Sequence, residues 1–356
     1  VPDYGNPSEF GVFPEPLADP PDRVERLVGV ARFAGRVGAT EDGLSASNAG
    51  RGELGRSTTK NNTWGFEREC ALYEPVTLRE AVADLVQDGD SVAIEGFTHL
   101  IPTAAAHELI RQGKKDLTLI RMTPDLVYDQ MIGMGAASKL VFSWGGNPGV
   151  GSLHRFRDAV ENGWPHPLEI EEHSHAGMAN RYVAGASNLP FAVLRGYVGT
   201  DLPKVTETIA PVTCPFTGEE LMAVPALNPD VAIIHAQQAD RRGNVAIWGI
   251  SGIQKEAVLS AKRAIATVEE VVDELEPHPF QVVIPAVAVD SVAVEPKGAH
   301  PSYADGYYDR DNAFYAAWDP VSRDRDGFEE WMERHVLGVG TFAEHLQSIR
   351  GEGAVR

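Results

Sequence analysis

At 356 residues, 43% hydrophobic and 23% charged, the chain can bury a full core as one large α/β domain or two smaller ones, with the composition of an ordinary globular protein. Its formal net charge of −20, from 31 basic and 51 acidic residues, argues against a nucleic-acid partner, which needs clustered Lys and Arg, so an anionic substrate must be met by local donors. Only Cys70 and Cys214 are present, which is neither a zinc pattern nor a disulfide framework, and no apolar run approaches the roughly 20 residues of a membrane span; a soluble, cytoplasmic protein without a metal site is expected.

Residues 1–75 read differently from the rest. Phe10 to Pro16 followed by Asp22 to Val28 resembles the opening strand and helix of a luciferase-like flavin-dependent oxidoreductase, far short of the roughly 250 residues that such a barrel needs. A gene remnant or misplaced start is expected there, ahead of a genuine accessory arm. Leu44 to Asn62 is rich in Gly, Ser, Asn, Arg and Thr, the composition of a linker.

The folded body is expected over residues 76–350. Thr77 and Glu80 form a capping box, Leu78, Ala81, Val82, Leu85 and Val86 recur at helical spacing, and Gly89 stops the helix. A strand then runs into Glu95-Gly96-Phe97-Thr98-His99-Leu100-Ile101-Pro102, and Pro102-Thr103 opens a helix that Gly113 ends. This strand, glycine turn and helix aim backbone N–H groups at any anion lodged there, although Gly96 is equally readable as a tight connection alone. Strands are expected at Ser91–Ile94, Leu117–Met122, Leu140–Trp144, Ala192–Leu194, Val231–His235, Ala264–Val268, Val282–Ile284 and Ser291–Val294. Many are rich in Val and Ile and bounded by Gly, Pro or Asp, as strands buried on both faces are. Alternating with helices, they predict an α/β fold, a mostly parallel open sheet wrapped by helices.

Ligands gather at the carboxyl ends of the strands of such a sheet, which singles out three places. The first is Glu95 to His99. The second is the glycine-rich Ser143 to Ser152, with Trp144, Gly145, Gly146 and Asn147, leading to Arg155 and Arg157, cations suited to a carboxylate or phosphate. It lacks the Gly-Lys-Ser/Thr of a Walker A loop, and a simple glycine turn is as good a reading. The third is Glu169 to His175, where strand alternation would set His173 and His175 on one face beside Glu171. That suits acid–base work or substrate lining; no third ligand is spaced for zinc. His235, at the end of a buried strand, is expected to be a hydrogen-bonded core residue, and Asp240 to Val245 a turn.

From about Val76 to about Leu346 the chain is similar to the A-type (alpha) chains of family I CoA-transferases. Glu95 to Pro102, Trp144 to Ser152, Ile234 to Gln237, Gly298 to Tyr303 and Gly306 to Tyr308 carry the resemblance, which is greatest to the alpha chains of enzymes acting on 3-oxoadipate, with those acting on glutaconate next. The resemblance implies the CoA-transferase-like (NagB/RpiA) fold and transfer of CoA from succinyl-CoA to 3-oxoadipate, in aromatic catabolism through the β-ketoadipate pathway. It further implies a coenzyme A thioester as substrate with no bound cofactor, and a heterotetramer in which a CoA-transferase B subunit carries the nucleophilic glutamate. Glu95 stands where more distant alpha chains carry glycine, so a supporting role is implied for it. Gly96, Phe97, Thr98, His99, Trp144, Gly145, Gly146, Asn147, His173 and His175 are then the substrate and CoA contacts. Three other classes remain open: the alpha chain of another 3-oxoacid or glutaconate-type transferase, one half of a ring-opening CoA-ester hydrolase, and a non-catalytic acyl-CoA-binding chain. The aromatic-rich Tyr303 to Trp318 is expected to cover an interface.

Overall fold

The Thr77 hydroxyl accepts the Glu80 N–H at 3.2 Å while the Glu80 carboxylate accepts the Thr77 N–H at 3.0 Å, and this reciprocal cap starts helix α1, Leu78–Leu85. The computed structural model describes residues 73–147 and 151–350. The oxidoreductase-like stretch, the Leu44 to Asn62 linker and Cys70 lie outside the described residues, as do Pro148, Gly149 and Val150. The folded body reaches back to Tyr73, whose N–H donates to the Arg241 carbonyl at 2.7 Å and whose hydroxyl accepts the Val292 N–H.

After α1 come β1 (Ser91–Glu95), α2 (Thr103–Arg111), β2 (Leu117–Arg121), α3 (Leu126–Gly133), β3 (Ala137–Phe142), α4 (His154–Asn162), β4 (Glu169–Glu172) and α5 (His175–Ala186). A small unit follows: β5 (Phe191–Leu194), α6 (Leu202–Val205), β6 (Ala210–Thr213) and β7 (Glu220–Pro225). The chain then returns through β8 (Val231–Asp240), β9 (Val245–Ile247), α7 (Gln254–Ser260), β10 (Arg263–Val272), β11 (Val282–Ile284) and β12 (Ser291–Val294). It closes with α8 (Asn312–Arg323), α9 (Arg325–Met332), a π-helical turn at Glu333–Leu337 and α10 (Phe342–Arg350).

The main sheet is parallel in the order β4-β3-β2-β1-β8-β10-β12, as the alternation of helices and strands predicts. Side chains alternate across it: Val92 and Ile94 pack into one apolar layer with α2, α3 and α8, and Ala93 into the other with α5 and α7. Later strands add on one flank of β1 through β2 and on the other through β8, so β1 is the topological switch point. β8 also outruns β1. Val92 to Glu95 pair with Val231 to Ile234, and beyond them Gln238 and Ala239 pair antiparallel with β9. A crevice therefore opens where β1 stops.

Several expectations need correction. β8 and β10 continue well past His235 and Val268, because their polar residues satisfy one another across the pair. His235 Nδ1 lies 2.8 Å from Thr267 Oγ1 and Nε2 lies 2.7 Å from Glu269 Oε1, so His235 is the hydrogen-bonded core residue expected of it. β3 starts and ends earlier than Leu140–Trp144. β4, not among the expected strands, is an acidic edge strand held by Lys139, 2.9 Å from both Glu169 and Glu171, whereas the strand expected at Ala192–Leu194 is present as β5 and pairs in the small antiparallel β5-β7-β6 sheet. Of the aromatics of Tyr303 to Trp318, Tyr307 is exposed and Tyr303 and Tyr308 are half-buried. Phe314, Tyr315 and Trp318 are buried on one face of α8, with Trp318 4.9 Å from Trp331 and 5.9 Å from Phe328. No helix among the described residues is long and apolar enough to cross a membrane.

Candidate active site

β1 ends on Glu95, and the chain turns back at once. A Cβ on Gly96 would stand 2.5 Å from the Leu100 carbonyl oxygen, so only glycine permits the close return. Thr98 and Leu100 hold left-handed backbone, with φ of 57° and 53°, a cost that a rigid surround must offset. The surround is visible: the Leu100 N–H donates to the Tyr303 carbonyl at 2.9 Å, and the Ile101 N–H to Ser302 Oγ at 3.1 Å. His99 completes it. Its Nδ1 lies 3.2 Å from the Ile250 carbonyl and its Nε2 accepts the Asp305 N–H at 2.9 Å. The imidazole is thus fixed as the Nδ1–H tautomer, and burial pushes its pKa below the ordinary value. His99 is fully buried and clamps three loops together; it is not among the residues lining the cleft.

At the end of β2, Arg121 is fully buried. Its Nη1 donates to Asp125 Oδ1 and its Nη2 to the Gly96 carbonyl, both at 2.9 Å, joining the two strand ends. Asp125 in turn caps α3 by accepting the Val127 N–H at 3.3 Å. Glu95 lies beside this pair, 2% exposed, its Oε1 accepting the Tyr182 hydroxyl at 2.8 Å and the Met122 N–H at 3.1 Å. Burial raises its pKa from 4.5 to about 7, against the opposing pull of Arg121 and of those hydrogen bonds.

A cleft of about 370 Å³ opens over these strand ends. The β1 loop lines it with Phe97, Thr98 and Ile101, and the end of β2 with Arg121, Thr123 and Asp125. Trp144 enters from the end of β3 and His175 from the start of α5. The far lip comes from Arg310 and Tyr315, the guanidinium carbon standing 4.1 Å over the Tyr315 ring. Walls of Phe97, Ile101, Trp144 and Tyr315 with cations at floor and lip suit an acyl chain bearing a carboxylate.

The third sequence motif divides. The Ser174 hydroxyl accepts the Gly177 N–H at 3.0 Å and starts α5, so strand alternation stops after Glu172 and the two histidines diverge, contrary to expectation. His175 is exposed, lines the cleft and has Nδ1 3.1 Å from Ser143 Oγ. His173 is buried away from it, 3.0 Å from Glu171 and 3.3 Å from the Tyr197 hydroxyl. Burial favours a neutral Glu171, but hydrogen bonds from His173 and Lys139 and the charge of Arg181 outweigh it and hold the carboxyl well below the usual range. This is a satisfied structural network. In the glycine-rich loop, Gly145 is exposed and Gly146 buried, where a Cβ would meet the Trp144 indole at 2.9 Å, while the buried Asn147 donates its N–H to the Gly151 carbonyl at 3.1 Å. Arg155 is turned into a buried contact with Asp158 at 3.1 Å, and Arg157 pairs on the surface with Glu161 at 2.9 Å. Neither reaches the cleft. Among the described residues, no cluster of His, Cys, Asp and Glu is placed to hold a metal ion.

Sequence reasoning passed over Arg121, Asp125, Tyr182, Arg310 and Tyr315. Arg121 had a signal, a lone cation closing the apolar Leu117-Thr118-Leu119-Ile120 strand. Arg310 and Tyr315 had none, being brought to the cleft only by the return of α8.

The coenzyme A transferase family model matches residues 76–295. The alpha chain of the 3-oxoadipate CoA-transferase of Pseudomonas knackmussii is 65% identical over 278 residues, covering 78% of this chain and 99% of that protein. The alpha chain of the glutaconate CoA-transferase of Acidaminococcus fermentans is 34% identical over 305 residues, 80% of this chain and 93% of that one. The crystal structure of glutaconate coenzyme A-transferase from the same organism superposes with a TM-score of 0.74 at 32% identity, covering 80% of this chain and 94% of that chain.

Proposed function

This chain belongs to the coenzyme A transferase family, and we propose that within it the chain is the alpha half of a cytoplasmic 3-oxoadipate CoA-transferase, paired with a CoA-transferase B subunit in a heterotetramer. The reaction is transfer of CoA from succinyl-CoA to 3-oxoadipate, giving succinate and 3-oxoadipyl-CoA. The near-full-length likeness to the Pseudomonas knackmussii protein carries this reading.

The carboxylates of the site support a shared mechanism. Asp125 is committed to Arg121 and to the cap of α3, and Glu95 is sunk beneath the floor and bonded to Tyr182. Neither presents an oxygen for attack on a thioester in the cleft, so the nucleophile comes from the partner, as a glutamate. That carboxylate attacks succinyl-CoA and expels CoA thiolate, leaving an acyl–glutamyl anhydride. The thiolate then attacks the glutamyl carbonyl, which releases succinate and leaves a glutamyl–CoA thioester. The acceptor carboxylate repeats the two steps in reverse order, so the free glutamate is regenerated without ATP. This chain supplies the apolar walls that exclude water from the anhydride, which water would otherwise hydrolyse. Incubated with both substrates, the assembled enzyme forms succinate and 3-oxoadipyl-CoA in equal amounts. Consumption of succinyl-CoA without acceptor would mark a hydrolase and defeat the reading.

A further inference from the structure

Of the residues lining the cleft, Ile101, Arg121 and Tyr315 are buried at its deep end, whereas Trp144, 44% exposed, and the exposed His175 stand at its mouth. An acyl group that fills the deep end leaves the arm of its coenzyme A carrier crossing that mouth. We propose that His175 accepts a hydrogen bond from an amide N–H of the pantetheine arm of coenzyme A, and so reads the carrier and not the acyl group. The proposal rests on the acyl-transfer reading of this cleft and assigns one side chain to one part of the thioester substrate.

The neighbours of the ring fix which nitrogen is the donor. Ser143 Oγ stands 2.6 Å from the Met122 carbonyl oxygen, which can only accept, so the single hydroxyl proton is spent there. His175 Nδ1, 3.1 Å from the same Oγ, must then donate to it. A neutral imidazole carries one N–H, so Nε2 on the opposite edge of the ring is left as an acceptor, and among the described residues it has no partner. The backbone is held as well, because His175 is the first residue of α5 and Ser174 caps that helix. An acceptor is the wrong partner for the acyl groups. Succinyl and 3-oxoadipyl groups present carboxylate and carbonyl oxygens, which are acceptors themselves, and no N–H or O–H. The pantetheine arm presents amide N–H groups close behind the thioester sulfur, where the cleft opens and His175 stands.

A hydrogen bond to the arm is present in the glutamyl–CoA thioester and in every state reached from it, so it cancels from the step with the acceptor acid. Its loss therefore falls on kcat/KM for the thioester and not on kcat/KM for 3-oxoadipate. The test gives the assembled two-chain enzyme and its His175→Phe and His175→Gln variants two small donors. Succinyl-pantetheine has the amides without the nucleotide, and the succinyl S-propyl thioester has neither. His175→Phe lowers kcat/KM for succinyl-pantetheine roughly 3- to 10-fold, the effect of one lost neutral hydrogen bond, while the propyl thioester and 3-oxoadipate stay within about two-fold of wild type. His175→Gln, whose amide oxygen can take the place of Nε2, recovers part of the loss. Equal losses with both thioesters, no loss with either, or a loss that falls on 3-oxoadipate overturns the proposal. A wild-type enzyme that hydrolyses the thioesters without transfer would sink the transfer reading alone; the assignment of His175 then stands or falls by the same comparison of the two donors. A wild-type enzyme that acts on neither overturns both.

Discussion

The Glu95 carboxyl is buried with a pKa raised to about 7, and the sign of that shift fixes its effect on stability. Its protonated form is favoured in the folded chain, so its contribution is fully present below the unfolded value of 4.5 and is lost as pH rises through 7. Replacing Glu95 by Gln removes this dependence. Wild type should lose stability relative to the variant by up to about 3 kcal/mol between those limits, read as the difference between urea-unfolding curves across pH. Parallel curves would contradict the assignment. In the assembled enzyme the same variant keeps acceptors for Tyr182 and Met122, so turnover should fall only about 10-fold, whereas loss of the partner's nucleophile abolishes it. Glu95, Phe97, Thr98 and Trp144 could be found in the sequence because each stands at the end of an apolar strand in a sheet whose strand ends hold ligands, and His175 because it closes the acidic and imidazole run Glu169 to His175. His99 and His173 share those positions yet are consumed by backbone and carboxylate partners far along the chain, which no local pattern encodes.

Helix α5 delivers both Tyr182 and His175, and two glycines let it approach its neighbours. A Cβ on Gly177 would lie 1.6 Å from the Tyr197 hydroxyl oxygen, and one on Gly185 would lie 1.9 Å from the Leu227 carbonyl oxygen. Ala normally stabilises a helix interior by about 1 kcal/mol over Gly. Here the sign reverses, because the Leu227 obstacle is backbone. Gly185→Ala should destabilise by roughly 1–3 kcal/mol in equilibrium denaturation; an unchanged or raised midpoint would show that α5 can move away. At the C-terminal end, His345 is buried with Nδ1 2.7 Å from the His335 carbonyl, and burial lowers its pKa to about 3. Its stabilising contribution is present above 6.5, the unfolded value, and is lost as pH falls through 3. Amide exchange in α10 should accelerate on acidification below pH 6.5, and His345→Gln should flatten that response; identical profiles would exclude His345 as its source. Elements with one period were legible: α1 with its capping box, and the Val/Ile strands at Val282–Ile284 and Ser291–Val294. The far halves of β8 and β10 were not, since His235, Gln237 and Glu269 read as strand ends until a partner strand is placed beside them.

For the whole molecule, alternation of helix and strand was enough to give the parallel sheet, and the longest motifs were enough to give the family. The lip of the cleft was not legible, because Arg310 and Tyr315 reach it from about 200 residues beyond Glu95 along the chain, a closure that only the packed fold makes. Nor could the sequence show that the aromatics of α8 are spent on this chain's own core. The central claim is that the active site is divided, with this chain forming the acyl cleft and its partner supplying the nucleophile. Borohydride trapping tests it most directly. The assembled enzyme is incubated with succinyl-CoA and reduced, which converts a glutamyl–CoA thioester to an alcohol, and both chains are then mapped by mass spectrometry. The account predicts one modified glutamate on the partner and an unmodified Glu95 peptide in this chain. Reduction at Glu95, with the partner unmodified, would contradict it.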